Sequence, residues 1–244
     1  MDNRIDTSVN IVKFNSVSAQ YPGNQRLILD DVSFEMHKGE ILGLAGESGS
    51  GKTTIAKVLL GLLKEKNGEI IRNYENGQMV FQDPFSSLNP AMTIGRIMEE
   101  PLRIRTGLSR ELRIQKVKEI MKLVDLDESH ISRKPAALSG GQRQRVSIGL
   151  ALMTKPDLLI ADEPVSALDV TVQKQILELM NDIQEKKQLS ILFISHDLRV
   201  MYNLCDRIII LKDGKLVEAG EPKELYKNPQ EDYTKKLLKA ADLF

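Results

Sequence analysis

Gly46-Glu47-Ser48-Gly49-Ser50-Gly51-Lys52-Thr53, with Thr54 just beyond, matches the pattern G-x-x-x-x-G-K-[ST] in full. The apolar run Ile41–Ala45 precedes it and reads as a short buried strand. Ile55, Val58, Leu59 and Leu62 follow at helical spacing, and the helix is expected to close near Leu63. Strand, glycine turn and helix in succession demand a layered α/β fold, because the helix must return onto the sheet that holds the strand. Backbone N–H groups wrap a phosphate only where glycine permits close approach, and the helix N-terminus adds its positive dipole. The expected phosphate contacts are Gly46, Ser48, Gly49, Ser50, Gly51, Lys52, Thr53 and Thr54, with Lys52 as a mobile cation and Thr53 offering a hydroxyl to Mg²⁺. The bland alternative is a glycine-rich turn with an ordinary lysine; the strand–loop–helix setting favours nucleotide binding.

The same alternation runs through much of the chain. Ile11 to Tyr21 is β-rich, and Val32, Phe34 and Met36 alternate with Ser33 and Glu35 as in a half-buried strand broken by Gly39. Gly68 to Phe81 reads as a strand pair turned at Asn76-Gly77. From Asp83 the character changes to an irregular loop with Pro84, Ser86, Ser87, Asn89 and Pro90, then helical segments from Ile94 to Val124. Another helix begins after Ser139. Strand and helix then alternate again: Leu158–Ala161, Val170–Gln184, Ser190–Ile194, Leu198–Leu204 and Arg207–Leu211, with a hairpin signal at Lys212-Asp213-Gly214-Lys215. The expected fold is an α/β parallel-sheet core with an N-terminal antiparallel β part and an inserted helical region. The segments are 1–84, 85–154 and 155–244, the last with a short helical tail.

Composition narrows the function. Lys+Arg and Asp+Glu both number 34 in 244 residues, so no global field exists to hold nucleic acid or an anionic membrane. Cys205 is the single cysteine, which rules out a disulfide scaffold and favours a reducing compartment; it reads as a small buried hydrophobe. No run approaches the ~18 apolar residues of a membrane span, and the polar start MDNRIDTSVN lacks a signal-peptide stretch. Any membrane role is expected to be peripheral.

Two further motifs carry chemistry. Leu158-Leu159-Ile160-Ala161 ends in Asp162-Glu163-Pro164, which puts two carboxylates at a strand's C-terminal edge, where α/β sheets bind ligands. Asp162 is placed to hold Mg²⁺, and Glu163 to polarise an attacking water. A surface acidic turn is the alternative. Leu138-Ser139-Gly140-Gly141-Gln142 opens a helix; Ser139 is a good N-cap, and the two glycines leave N–H groups free for an anion.

With these three motifs in this order, the chain resembles the ATP-binding subunit of an ABC transporter over nearly all its length. Leu138–Gln142 is similar to the family signature. Phe81-Gln82-Asp83-Pro84 resembles the Q-loop, Ser166-Ala167-Leu168-Asp169 the D-loop, and Ser195-His196-Asp197 the switch histidine. Tyr21 sits where the family places an aromatic that stacks on adenine. Each has an ordinary reading: an exposed amide for Gln82, an N-cap for Asp169, a satisfied histidine for His196, a packed turn residue for Tyr21. The resemblance implies a P-loop, RecA-like core, an α-helical subdomain and head-to-tail dimers. ATP would lie between one subunit's P-loop and its partner's signature. Thr53, Gln82 and Asp162 would handle Mg²⁺, with Glu163 as base and His196 at the γ-phosphate. Ser139, Gly140, Gly141 and Gln142 would close the site across the interface, with Asp169 coupling the two sites.

Phe81–Leu102, Ser166–Gln173 and Asn228–Leu238 resemble the peptide/nickel importer subfamily, and GKTTIAKVLLGLL with FQDP is similar to the second ATPase of its pair. That implies a second, non-identical ATPase subunit or a homodimer, two membrane-spanning permease subunits, and an extracytoplasmic substrate-binding protein acting indirectly. The place would be the cytoplasmic face of the membrane, with no nucleic acid. Many such ATPases continue past the equivalent of Ala240 into a Cys-containing extension. This sequence ends at Phe244 without one, so no metal or cluster site is expected there. Phe85, Leu88, Met92, Ile94 and Met98 either meet a permease helix or fill the helical core. The basic run Arg103, Arg105, Arg110, Arg113, Lys116, Lys118 and Lys122, interrupted by Glu111 and Glu119, reads as a solvated face. The competing class is a soluble ABC-type ATPase of DNA repair or translation. The first carries long heptad coiled coils, absent between Lys52 and Leu138; the second needs two cassettes, and here there is one P-loop.

Overall fold

Strand β3 (Ile41–Ala45) is buried at every position, as a strand covered on both faces must be. It lies inside a six-stranded sheet with β5 (Gly77–Val80), β6 (Leu158–Asp162), β7 (Ser190–Ser195), β8 (Arg207–Lys212) and β9 (Lys215–Gly220), in the order β5-β6-β7-β3-β8-β9. All pairs are parallel except β8–β9. The computed structural model describes residues 5–83 and 87–241. A second, antiparallel sheet has the order β2-β1-β4, from β1 (Asp6–Ala19), β2 (Leu29–Lys38) and β4 (Glu65–Arg72). The helices are α1 (Lys52–Leu59), α2 (Ile94–Arg105), α3 (Arg110–Leu123), α4 (Gly140–Leu152), α5 (Val170–Lys187), α6 (Leu198–Leu204), α7 (Pro222–Lys227) and α8 (Asp232–Ala240).

Side-chain alternation along the parallel strands builds two cores. Leu42, Leu44, Leu158, Ile160, Leu192, Ile194 and Ile209 face α1 and the antiparallel sheet. Their neighbours Ile41, Leu159, Ala161, Ile191, Phe193, Ile208 and Ile210 face the other helices. The turn after β8 is a tight hairpin, with Lys212 paired to Lys215 and positive φ at Asp213 (48°) and Gly214 (79°), as an Asp-Gly type I′ turn requires.

Two expectations need correction, and one open alternative is decided. Asn76-Gly77 does not turn a strand pair: β4 pairs with β1, and β5 pairs with β6 in the other sheet. Gly77 is not among the positive-φ residues, so a type I′ turn is not formed. Asp157 instead accepts the N–H groups of Glu75 and Asn76, both at 3.1 Å, and draws the chain to the parallel sheet. Leu62 is 69% exposed, because α1 ends before Gly61 (φ 69°). Leu88, Ile94 and Met98 are buried in the core and Met92 packs against it, so these four fill the helical core; Phe85, with Pro84 and Ser86, lies outside the described residues. Cys205 is buried and its thiol is pushed well up by burial, as a small hydrophobe would be. The basic run is mostly exposed; Arg113 is half-buried against Glu99 at 2.8 Å.

Glu40, at the entry to β3, is fully buried. Its carboxylate accepts His37 N–H (2.7 Å) and Arg207 Nη1 (3.2 Å), yet burial outweighs both and raises its pKa from 4.5 to about 7. Between those values the folded chain holds a proton that the unfolded chain releases. Glu40's contribution is therefore complete below the lower value and is lost as pH rises through the upper, a swing of about 3 kcal/mol. Denaturant unfolding should show stability falling from pH 5 to 8. Glu40→Gln, which keeps an acceptor without a charge, should flatten that fall; an unchanged slope would clear Glu40 of responsibility.

Candidate active site

The carboxyl ends of β3, β7 and β6 lie side by side, with Ala45 opposite Ser195 and Asp162 opposite Ile194. From β3 the chain crosses to one side of the sheet, and from β7 it crosses to the other. The crevice between them is the topological switch point, where open α/β sheets place their ligands. The glycine loop, Asp162-Glu163 and His196 all emerge there.

The loop is held by its backbone. Gly46 (φ 148°) passes so close to β8 that an added Cβ would lie 2.2 Å from the Leu211 carbonyl oxygen. Gly51 (φ 110°) is the N-cap of α1, and Gly214 N–H donates to Ser50 O at 2.9 Å. Gly46→Ala should therefore destabilise the protein by about 2 kcal/mol or more, seen as a lower melting temperature; wild-type melting would show that the loop can move off β8. Ser50 is buried, and its hydroxyl has no hydrogen-bond partner among the described residues. Lys52 is 7% exposed and donates to Gly46 O (2.6 Å) and Glu47 O (2.8 Å). Burial lowers its pKa, opposed by Glu163, Asp162 and Glu47. Ser48 and Gly49 are exposed along the loop, and Thr54 is buried beneath it.

Thr53 Oγ1 donates to Asp162 Oδ2 at 3.0 Å. Asp162's pKa is raised by burial first and by Glu163, against the Thr53 hydrogen bond and Lys52. A hydroxyl beside a half-desolvated carboxylate is an oxygen donor pair suited to a hard divalent cation that keeps most of its waters. Gln82 meets neither donor; its Nε2 donates to Glu163 Oε2 at 3.4 Å. Glu163 Oε1 lies 3.0 Å from His196 Nδ1. Glu163 has φ 48°, a left-handed backbone unusual for a non-glycine, held by its N–H donating to Ile194 O at 2.9 Å. His196 is exposed, not a buried core histidine.

Ser139 caps α4 in a full capping box: its Oγ accepts Gln142 N–H, and Gln142 Oε1 accepts Ser139 N–H at 2.9 Å. Gly140 stands against Leu168 and Gly141 against Val172; an added Cβ on Gly141 would lie 2.5 Å from the Val172 side chain. Asp169 accepts Val172 N–H at 3.0 Å as the N-cap of α5. The glycine motif therefore sits on the segment 166–172. Among the described residues no hydrogen bond joins Ser139–Gln142 to Gly46–Thr54 of the same chain. Tyr21 hydroxyl lies 3.3 Å from both Thr54 Oγ1 and Lys57 Nζ, with the ammonium 5.1 Å from the ring centre.

Two contacts of the site could not be foreseen from the sequence motifs. Lys57 braces Tyr21, and Tyr233 of α8 accepts the Glu47 N–H at 3.2 Å, tying the tail helix to the phosphate loop. Tyr233 lies within the tail stretch Asn228–Leu238 singled out in the sequence, but nothing there points it at the phosphate loop.

Residues 29–166 match the model of the ABC transporter family, and the chain belongs to that family. It is 44% identical over 232 residues to the oligopeptide transport ATP-binding protein OppF of Bacillus subtilis, covering 88% of this chain and 76% of that one. It is 42% identical over 236 residues to the dipeptide transport ATP-binding protein DppF of Escherichia coli, covering 88% and 70%. A solved dimeric ATP-binding cassette in a post-hydrolysis state, bound to ADP and Pi, superposes with a TM-score of 0.76 at 31% identity, covering 86% of this chain and 98% of that one. The chain is accordingly an ATPase with the ABC cassette fold. Among the described residues no helix is long and apolar enough to cross a membrane.

Proposed function

We propose that this chain is an ATP-hydrolysing subunit of a peptide importer, working at the cytoplasmic face of a membrane beside permease subunits and a second ATPase. The names of the relatives support peptides over nickel or metal chelates. The observation that carries the catalytic reading is the cluster at the strand ends: Thr53 on Asp162, and Glu163 between His196 and Gln82.

In this reading Lys52 leaves the loop carbonyls for the phosphates, and the loop N–H groups hold them in place. Thr53 and Asp162 would hold Mg²⁺, with Gln82 reaching across, and the ion would offset phosphate charge. Glu163 takes a proton from the attacking water through Oε1 or Oε2. His196 orients that carboxylate through Nδ1 and turns its other nitrogen toward the γ-phosphate. Tyr21 stacks on the base. The separation of Ser139–Gln142 from the same chain's loop favours a site completed by a facing subunit, where free N–H groups at the start of α4 meet the γ-phosphate. Asp169 at the neighbouring cap couples the two sites. The helical segment 85–154 serves as the body through which that closure reaches the permease. Hydrolysis removes the bridging phosphate and lets the pair open.

Light scattering on Glu163→Gln, with and without Mg-ATP, tests this. Doubling of mass with ATP supports a site shared by two copies. A monomer that binds ATP supports a non-identical second ATPase. A monomer that binds no ATP overturns the reading.

A further inference from the structure

His130, on the 3-10 turn Glu128–Ser132, is 8% exposed and takes no part in the mechanism above. Its Nδ1 lies 3.0 Å from the Asp127 carbonyl oxygen. A carbonyl only accepts, so Nδ1 carries the proton in that contact. Across the ring, Nε2 meets the side-chain nitrogen of Gln142 at 3.2 Å. The far end of Gln142 settles which atom points where. Gln142 Oε1 accepts the Ser139 backbone N–H, which can only donate, so the NH₂ group must face the imidazole. The bare Nε2 therefore accepts from Gln142. An unbroken chain of hydrogen bonds runs from the Asp127 carbonyl through imidazole and amide to Ser139, whose hydroxyl in turn accepts the Gln142 N–H.

We propose that His130 is a positioning residue for the Ser139–Gln142 motif, and that its neutral form is the competent one. By fixing the Gln142 amide it holds the capping box, and with it the free N–H groups aimed at the facing subunit's phosphate. The inference rests on the reading of that motif given above. Protonation places a second N–H on Nε2, opposite the Gln142 NH₂, and the contact becomes donor against donor. The charged side chains lining the cavity around His130 are Lys122 and Asp125 near the end of α3, Asp127 and Glu128 on its own turn, and Arg145 on α4. Arg145 pairs with Asp125 (3.4 Å), and Lys118 with Glu128 (2.9 Å). Among the described residues α2, which also packs on this turn, places no charged side chain in that lining.

The test compares His130→Gln and His130→Leu with wild type, in whichever assembly hydrolyses ATP. Turnover and KM are followed from pH 5.5 to 8, and a fluorescent ATP analogue reports binding to the isolated chain. Gln puts an amide oxygen where Nε2 lies. It should keep wild-type turnover at pH 8 and lose part of the wild-type fall toward pH 5.5. Leu offers no acceptor, and its kcat should drop about tenfold while analogue binding to its own loop is unchanged. Wild-type turnover in the Leu variant overturns the inference. So does equal impairment in both variants, which marks a purely structural histidine, or a Gln variant with the full wild-type acid limb. A wild-type protein that binds the analogue but neither assembles nor hydrolyses ATP sinks the reading of the motif, and this inference with it.

Discussion

Glu163→Gln is expected to slow ATP hydrolysis by about 10²–10⁴-fold while leaving nucleotide binding intact. The amide has the shape of the carboxylate and preserves its neighbours' geometry. Its oxygen can still receive the hydrogen bond from His196 or Gln82, now 3.0 and 3.4 Å away. It cannot take a proton from water, and that step is the one removed. The substitution also deletes a negative charge that raises the Asp162 pKa, so Asp162 should ionise more readily and metal-dependent binding should be no weaker. Single-turnover hydrolysis separates chemistry from binding. Near-normal turnover would take the base role from Glu163, and weakened ATP binding would mean that the carboxylate holds the ligand rather than the water.

The second large effect is expected at Lys52. Burial depresses its pKa, and the ammonium bonds two carbonyls of its own loop, at 2.6 and 2.8 Å. Those bonds keep a desolvated cation satisfied until a phosphate replaces them. Lys52→Ala should weaken Mg-ATP binding by roughly 10²-fold or more, because a charge-assisted contact in a half-dry loop is lost. The loop itself should persist, since Gly214 N–H to Ser50 O and Ile55 N–H to Gly51 O do not involve the side chain. Titration calorimetry at fixed Mg²⁺ reads the affinity directly. A wild-type dissociation constant would assign phosphate binding to the backbone N–H groups alone.

Much of the site was legible because its chemistry is local. A glycine that must avoid the Leu211 carbonyl, a lysine one residue after the last loop glycine and a threonine beside it are consecutive residues whose spacing is their geometry. The strand before Asp162 was readable for a similar reason: a strand covered on both faces is apolar throughout. The same holds for the hairpin at Asp213-Gly214, where both turn residues adopt positive φ.

What the chain's order could not convey was partnership between distant segments. Asn76-Gly77 has the composition of a hairpin turn, yet the acceptors that set its course lie on Asp157, about eighty residues away. Leu88, Ile94 and Met98 look alike as docking residues or core residues until their neighbours are known, and burial makes them core. His130 belongs to no motif, and Tyr233 lies in the tail stretch Asn228–Leu238, where nothing points to the phosphate loop; each matters through one hydrogen bond, to Gln142 and to the Glu47 N–H. Backbone spacing and hydrophobic period are properties of neighbouring residues and survive in the linear text. Hydrogen-bond pairing across the fold depends on which surfaces meet when the two cores close, and only the folded chain decides that.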